Sequence, residues 1–336
     1  MLPSLPTTMR AAVLHSYNGV VTIEDREIIP PRAGDVIVKI AASPLNPSDV
    51  MFTYGMYGFR KPLPTVPGFE ASGVIVAVGE GVDASRIGQR VACFAGNDDG
   101  AWAEYMRIPA TNAYPVLDSI SDEQASMLLV NPLTARALIE IAQNASGSSA
   151  IVQTAAASAL GKMIIRLAAE QGIPTINIVR RAESVDELTA LGAAHVLDSS
   201  SADFEHTLRE LAAKLNARVA FDAVGGDLSG RILHLMPRNS RIIVYGGLSL
   251  QPVTISLDDL IFRGKHVEGF WLSTWLPTIA PPRLLSIWQE EQAHIGDTYK
   301  TDVRARYGLE DIGRALADYS GQMSGGKVLL TFMPED

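Results

Sequence analysis

The sequence predicts an α/β protein in two parts, a small β-rich, irregular barrel-like domain and a doubly wound parallel sheet of six strands. Three observations predict it. Residues 9 to 110 break into short β-branched runs separated by Gly, Pro, Asn and Asp. From about residue 120 strand-like runs alternate with helical periodicity, which is the rhythm of a parallel sheet. The tail then supplies one amphipathic helix and one last strand.

In the first part the strand runs are MRAAVL (9–14), VTIEDREI (21–28), DVIVKIAAS (35–43), ASGVIVAVG (71–79), RVACFAG (90–96) and AWAEYMRI (101–108). VPG and VGEGV supply tight turns between them. In the second part strands are expected at Ala150–Gln153, Thr175–Val179, His195–Asp198, Arg218–Val224, Arg241–Tyr245 and His266–Gly269. Helices fall between. In Asp203–Leu215 the residues Phe204, Leu208, Leu211 and Leu215 recur at spacings of four, three and four and mark one face. The tail reads as a helix in LEDIGRALADYSG (309–321) and a strand in KVLLTFM (327–333). Six parallel strands already complete the second sheet, so the tail is expected to pack back onto the first part. No internal repeat or low-complexity tract interrupts the pattern.

Composition narrows the function. A chain of 336 residues with 47% apolar and 19% charged residues is that of a globular enzyme. A net charge of −9 offers no basic footprint for nucleic acid or anionic lipid. The single cysteine, Cys93, excludes a disulfide framework and any multi-cysteine zinc site. The start, MLPSLPTTMR, resembles neither a signal nor a transit peptide, and no run approaches the length of a membrane span. The expected location is cytoplasmic.

The stretch IVQTAAASALGKMIIRLAAEQG (151–172) reads as strand, turn and helix. Its turn stands where a dinucleotide-binding protein carries several glycines, yet only Gly161 is present. That glycine falls one turn into the helix, where close packing against the strand wants no side chain. Ser158 and Ala159 occupy positions where glycine would let the backbone approach a phosphate. Small side chains still permit the approach, and the free N–H groups at a helix start attract an anion. A Walker motif is excluded, because TAAASALGKM lacks the first glycine and Met163 follows the lysine. Alone, the loop fits an ordinary strand–helix junction almost as well. The next strand shifts the balance towards a dinucleotide, with a solvated loop as the plain alternative, for the ribose-reading position lies roughly 20 residues beyond such a turn. There INIVRRAES offers Arg180 and Arg181 and no carboxylate. Guanidinium forks match the 2′-phosphate of NADP, whereas an acid would take the 2′-hydroxyl of NAD. The expected cofactor is NADPH.

These residues resemble the medium-chain dehydrogenase/reductase superfamily over essentially the whole chain. The landmarks are NPSD (46–49), VPGFEASGVIVAVGEGV (66–82), NPLTA (131–135), the 151–161 turn and LGA (191–193). The run VYGGLSLQPVTISLDDLIFRGKHVEGFWLSTW (244–275) is similar to the zinc-free, NADPH-dependent 2-enoyl thioester reductases, relatives of the quinone oxidoreductases. The resemblance implies a GroES-like β-rich catalytic domain over residues 1–125, completed by 276–336, and a Rossmann NADPH-binding domain over 126–275. The zinc alcohol dehydrogenases carry cysteine where Asn46 stands and histidine where Phe69 stands. Neither Asn nor Phe can build a tetrahedral N/S site there, so no metal is expected.

Without a metal, a nicotinamide enzyme most readily reduces a double bond polarised by a carbonyl. Hydride adds at the β-carbon, and a proton must reach the α-carbon. In the enoyl reductases a tyrosine eight residues after the NPSD aspartate supplies that proton. Counting from Asp49 reaches Tyr57, with Tyr54 as the rival; a half-buried packing aromatic is the plain alternative for either. The resemblance also implies that Asn131 and Thr134 reach the nicotinamide–ribose region and that Ala157, Ser158, Ala159 and Leu160 cradle the pyrophosphate. It implies that Tyr245, Gly246 and Gly247 follow the fifth strand at the ligand edge. Phe270, Trp271, Leu272 and Ser273 would line the nicotinamide and substrate pocket, and Lys327 would reach a cofactor phosphate. The implied substrate is a small molecule, an enoyl thioester or enone, with a quinone as the alternative and a non-catalytic NADPH-binding protein as the reading from another class. Proteins of this type commonly form homodimers by joining sheet edges, for which KHVEGFWLSTW is the candidate strand.

Overall fold

The computed structural model describes residues 5–145 and 147–332. The chain divides into two units, Met1–Val130 with Gln289–Asp336, and Asn131–Trp288.

The first unit opens with β1 (Thr8–Leu14), β2 (Val21–Glu27), β3 (Asp35–Pro44), α1 (Pro47–Thr53), β4 (Glu70–Val78), β5 (Arg90–Phe94), β6 (Tyr105–Pro109), β7 (Ala113–Pro115) and α2 (Asp122–Ser126). The chain then runs through α3 (Val130–Gln143), β8 (Ala150–Gln153), α4 (Ala159–Glu170), β9 (Thr175–Val179), α5 (Glu183–Ala190), β10 (His195–Asp198) and α6 (Phe204–Lys214). It continues with β11 (Ala217–Asp222), α7 (Gly226–Leu235), β12 (Arg241–Val244), α8 (Leu257–Ile261), β13 (His266–Gly269), α9 (Leu272–Trp275) and α10 (Pro281–Ala293). It closes with β14 (Val303–Gly308), α11 (Ile312–Gly321) and β15 (Lys327–Thr331).

In the first unit β3 is the central strand. It pairs antiparallel with β4, β6 and β15. Its side chains alternate as a pleat requires. Ile37 enters one apolar cluster with Trp102, Ile312, Val328 and Leu330, while Val36, Val38 and Ile40 enter another with Ile75, Val91, Cys93 and Met106. Burial on both faces explains why this run is almost uninterruptedly apolar. The tail lies in this unit, with β15 paired to β3 and Ile312, Ala315 and Tyr319 of α11 in the first cluster.

Two of the differences from the sequence reading have a clear physical reason. The AWAEYMRI strand begins only at Tyr105, because Trp102 is buried and its amide donates to Pro67 O at 3.0 Å. Gly68 permits that contact: its φ is +99°, and a Cβ there would lie 2.6 Å from the Trp102 ring. The strand β14 was not expected, since its alternating arginines hide the pattern. Arg304 pairs with Asp318 at 2.7 Å and Arg306 pairs with Glu123, so charge pairing replaces apolar burial. Met333, the end of the expected last strand, and residues 1–4 of the chain start lie outside the described residues.

The second unit holds the expected six parallel strands, in the order β10-β9-β8-β11-β12-β13. The order reverses between β8 and β11, so the carboxyl ends of these two strands flank the crevice where doubly wound sheets bind ligands. Helix α6 buries Phe204, Leu208 and Ala212, and Leu211 and Leu215 are only partly covered. Among the described residues no helix is long and apolar enough to cross a membrane.

Candidate active site

In the second unit the turn from β8 to α4 is built without its usual glycines. Ala155 takes the left-handed conformation, φ +49°, that a glycine would adopt without strain. Ser158 caps α4, its hydroxyl accepting the Gly161 amide at 3.0 Å. Gly161 is required as the sequence suggested, for a Cβ there would stand 2.5 Å from the Ala156 carbonyl oxygen. Buried Gln153 locks the geometry by donating to Gly161 O at 3.1 Å and to Asn177 Oδ1 at 2.7 Å. Ala157, Ser158, Ala159 and Leu160 therefore form the loop end and first turn of a helix whose leading N–H groups lack intrahelical partners. Arg180 and Arg181 follow β9 at the same carboxyl edge, both exposed.

A network that sequence reasoning missed joins the two strand ends at the crevice. The buried Asp222 carboxylate, at the end of β11, accepts from Thr154 Oγ1 at 2.6 Å, Val224 N at 2.9 Å, Gly225 N at 3.1 Å and Ser229 Oγ. Thr154 Oγ1 accepts in turn from Ala223 N at 2.9 Å. The loop after β11 is thereby folded onto the loop after β8, and β11 stops at Asp222 instead of running on to Val224. Likewise β12 stops at Val244, its last ladder bond running from the Tyr245 amide to Asp222 O at 2.9 Å. An aspartate ending an apolar run just before VGG was the available signal, a carboxylate positioned to gather turn amides.

Tyr245, Gly246 and Gly247 thus sit at this edge. The Gly246 position is close to Ala223 O, where a Cβ would lie at 2.8 Å. The Tyr245 hydroxyl is buried with no hydrogen-bond partner among the described residues, and burial, with Asp222 nearby, pushes its phenol up. Phe270 N donates to Val244 O at 2.9 Å, bringing Phe270, Trp271, Leu272 and Ser273 to the end of β13, with Leu272 and Ser273 in α9. Asn131 and Thr134 lie in the first turns of α3, Thr134 buried.

In the first unit Tyr57 lies in the loop after α1, among aromatic rings. Its centroid is 4.7 Å from that of Phe69 and 5.2 Å from that of Phe59. Buried Phe52 supports both phenylalanines, at 6.0 Å from Phe59 and 5.6 Å from Phe69. Tyr57 is half-buried, whereas Tyr54, the C-cap of α1, is 41% exposed. A cavity of about 250 Å³ between Lys61, Asp99 and Arg107 contains none of these residues.

Beside the rings lies a buried polar cluster. Asn46, the N-cap of α1, donates its Nδ2 to Glu70 Oε1 at 2.8 Å, and Glu70 Oε2 accepts Val130 N at 2.9 Å. Asp49 accepts the Asn46 amide at 2.8 Å and the Phe69 amide at 3.0 Å. The ammonium of Lys327, the first residue of β15, donates to Asn46 Oδ1 and, at 3.4 Å, to the Leu45 carbonyl. Burial pushes the Asp49 carboxyl up to about 7, with Glu70 adding to it against the two amide bonds. Burial also raises Glu70 and lowers Lys327, while their mutual attraction opposes both shifts. Cys93 is inert for metal or redox chemistry, since burial and Glu70 hold its thiol protonated.

Comparison with known proteins agrees with this arrangement. The alcohol dehydrogenase GroES-like domain model matches residues 32–118, and the zinc-binding dehydrogenase model matches residues 159–286. The chain is 34% identical to the mitochondrial enoyl-[acyl-carrier-protein] reductase of Homo sapiens, over 82% of this chain and 76% of that one. Among solved structures, a protein assigned as an NADPH:quinone reductase from Mesorhizobium loti gives a TM-score of 0.91 at 35% identity, covering 98% of this chain and 100% of the other. A mycobacterial protein solved with NADPH gives a TM-score of 0.82 at 25% identity, covering 96% and 100%.

Proposed function

This chain belongs to the medium-chain dehydrogenase/reductase superfamily, of the enoyl-reductase and quinone-oxidoreductase type, and from that membership we propose that it reduces carbonyl-activated C=C bonds without zinc. It is an NADPH-dependent oxidoreductase. The proposal concerns the acceptor, a 2-enoyl thioester or enone, and the residues that serve it.

The second unit fits the cofactor. The Ser158-capped start of α4 offers amide donors and a helix dipole to a pyrophosphate, and a Cβ at Gly161 or Gly246 would collide with the neighbouring backbone. Ala157, Ser158, Ala159 and Leu160 would hold the pyrophosphate, and exposed Arg180 and Arg181 the 2′-phosphate. Tyr245 to Gly247, Phe270 to Ser273, Asn131 and Thr134 would surround the nicotinamide and its ribose. Bound there, NADPH supplies the hydride delivered to the β-carbon.

The first unit does not fit zinc. Asn46 presents an amide, Phe69 an apolar ring, and a lysine ammonium already faces Asn46 and Glu70. Among the described residues no group of three or more His, Cys, Asp or Glu could hold a metal ion. The observation that supports an enoyl substrate best is Tyr57, a phenol held by ring contacts with Phe59 and Phe69. We assign it the proton delivered to the α-carbon, closing the addition begun at the β-carbon. A quinone needs no such donor, since its reduced oxygens take protons from water.

NADPH oxidation measured with crotonyl thioester, an enone and a quinone tests this. The enoyl reading expects turnover of the thioester or enone to exceed that of the quinone in kcat/KM. Turnover of quinones alone would favour the quinone reductase.

A homodimer is part of the same proposal. All four residues of β13 are exposed at the sheet edge, beside Phe262 (67% exposed) and Ile261 (64%) on the approach to it. An open edge of this kind is a liability unless another strand covers it, and a second copy of β13 is the self-complementary choice. A solution mass of one chain would exclude it.

A further inference from the structure

We propose that Tyr17 is a positioning residue for the reduction, a clamp that ties together the two ends of the loop carrying Tyr57. The proposal rests on the reading of Tyr57 as the proton donor. Tyr17 lies in the connection between β1 and β2, residues 15–20, and is half-buried.

At the start of the loop, the Tyr17 ring meets the Phe52 ring edge-on, with centroids 5.9 Å apart. The Asn18 amide donates to Thr53 O at 2.9 Å, which joins the same connection to the end of α1. Gly55 follows, so close that a Cβ there would stand 3.0 Å from Tyr17 Cγ, and its φ of +68° suits a residue without one. At the far end, the Tyr17 hydroxyl donates to Lys61 O at 3.0 Å and accepts from Lys61 N at 2.9 Å. One phenol thus takes both backbone groups of one residue, as a neighbouring strand would. Lys61 is buried and its Nζ donates to the carbonyls of Gly96 and Asp98, which fixes this end to the segment after β5. Arg60 spans both ends. Its guanidinium carbon lies 5.2 Å from the Tyr17 ring centroid, and it donates to Gly55 O at 3.1 Å.

Residues 56–59, with Tyr57 and Phe59 among them, run between these ends. Ring contacts with Phe59 and Phe69 hold the Tyr57 side chain, but aromatic packing tolerates a broad range of offsets. Proton transfer does not. The donor must come within hydrogen-bond reach of the carbon it serves, and a displacement of about 1 Å can cost on the order of 100-fold. Clamping both ends of so short a loop narrows the positions open to the backbone between them, so Tyr17 acts through Tyr57.

The experiment uses the full-length protein and Tyr17→Phe, which keeps the ring against Phe52 and beneath Arg60 and removes only the hydroxyl. Tyr57→Phe and the double variant complete the cycle. Amide hydrogen exchange is measured on each, and kcat with NADPH and crotonyl thioester. In Tyr17→Phe the amides of residues 55–61 are expected to exchange about tenfold faster than in the parent, with β3 and β4 unchanged. Its kcat is expected to fall on the order of tenfold. In the Tyr57→Phe background the same substitution is expected to change kcat by less than about twofold, because the group it positions is already gone. Unchanged exchange over residues 55–61 overturns the clamp. Faster exchange that spreads to β3 and β4 makes Tyr17 a packing residue of the whole unit and overturns the proposal. So does an unchanged kcat in Tyr17→Phe, or a tenfold loss that persists in the Tyr57→Phe background. Failure of the proton-donor reading looks different, since Tyr57→Phe is then fully active. That outcome overturns the positioning role, while the exchange measurement, which needs no reaction, still shows whether the loop is clamped.

Discussion

The ring of Tyr57 lies 4.7 Å from the ring of Phe69, with the two planes inclined at 33°. By the resemblance, Phe69 stands where the zinc dehydrogenases carry a histidine, and here its apolar ring packs against the phenol. If Tyr57 donates the α-carbon proton, Tyr57→Phe keeps this stacking and removes only the acid. Positioned general acids contribute ~10²–10⁴-fold, so kcat with enoyl thioesters should fall by about that factor. Kd for NADPH should not change, and quinone reduction should fall much less. Tyr54→Phe, on an exposed side chain, should be nearly silent. Equal losses in the two variants would defeat the assignment.

Cofactor choice rests on Arg180 and Arg181 after β9. Arg180→Ala should remove charge-assisted hydrogen bonds worth roughly 1.5–3 kcal/mol, about tenfold to a hundredfold in NADPH affinity. NADH affinity should barely move. Titration of both cofactors by fluorescence checks this, and a parent that binds the two equally would remove its basis.

The Asp222 network should be as important to the crevice as any residue that touches ligand. Asp222→Asn keeps the volume but turns one acceptor into a donor facing amides and hydroxyls. Stability should fall by about 3 kcal/mol, as expected when buried charged bonds lose their acceptor. NADPH affinity should fall too, because the loops after β8 and β11 separate. Denaturant unfolding and cofactor titration on the same sample would show a wild-type midpoint if the idea is wrong.

Asp49 makes stability depend on pH in an unusual direction. Its folded pKa is raised from 3.8 to about 7, chiefly by burial. The native state therefore holds the proton more tightly than the unfolded chain. Its contribution is fully present below about pH 4 and is lost as pH rises towards 7, on the order of 1 kcal/mol per unit. The Tm of the parent minus that of Asp49→Asn should thus shrink from pH 5 to pH 8. A difference that grows over that range would contradict the sign.

The residue pattern alone determined what depends on local periodicity and backbone sterics. The six parallel strands were legible because buried parallel strands are continuous apolar runs, as in Ala150–Gln153 and Thr175–Val179. Gly161 was legible because one position in such a turn excludes a side chain. The place of Arg180 and Arg181 directly after β9 was legible because the apolar run of that strand ends at Val179. Strand β14 was not, since arginines paired across space carry no apolar alternation.

Only the tertiary structure decided which polar groups share a buried site. Asp222 meets Thr154 across 68 residues, and Lys327 meets Asn46 across 281. No spacing rule reaches that far, because such partners are chosen by strand order and by the cost of leaving a buried charge unpaired. The pairing of β15 with β3 is what puts the Lys327 ammonium beside Asn46. Local chemistry names the candidates, and the fold determines which charges must answer one another.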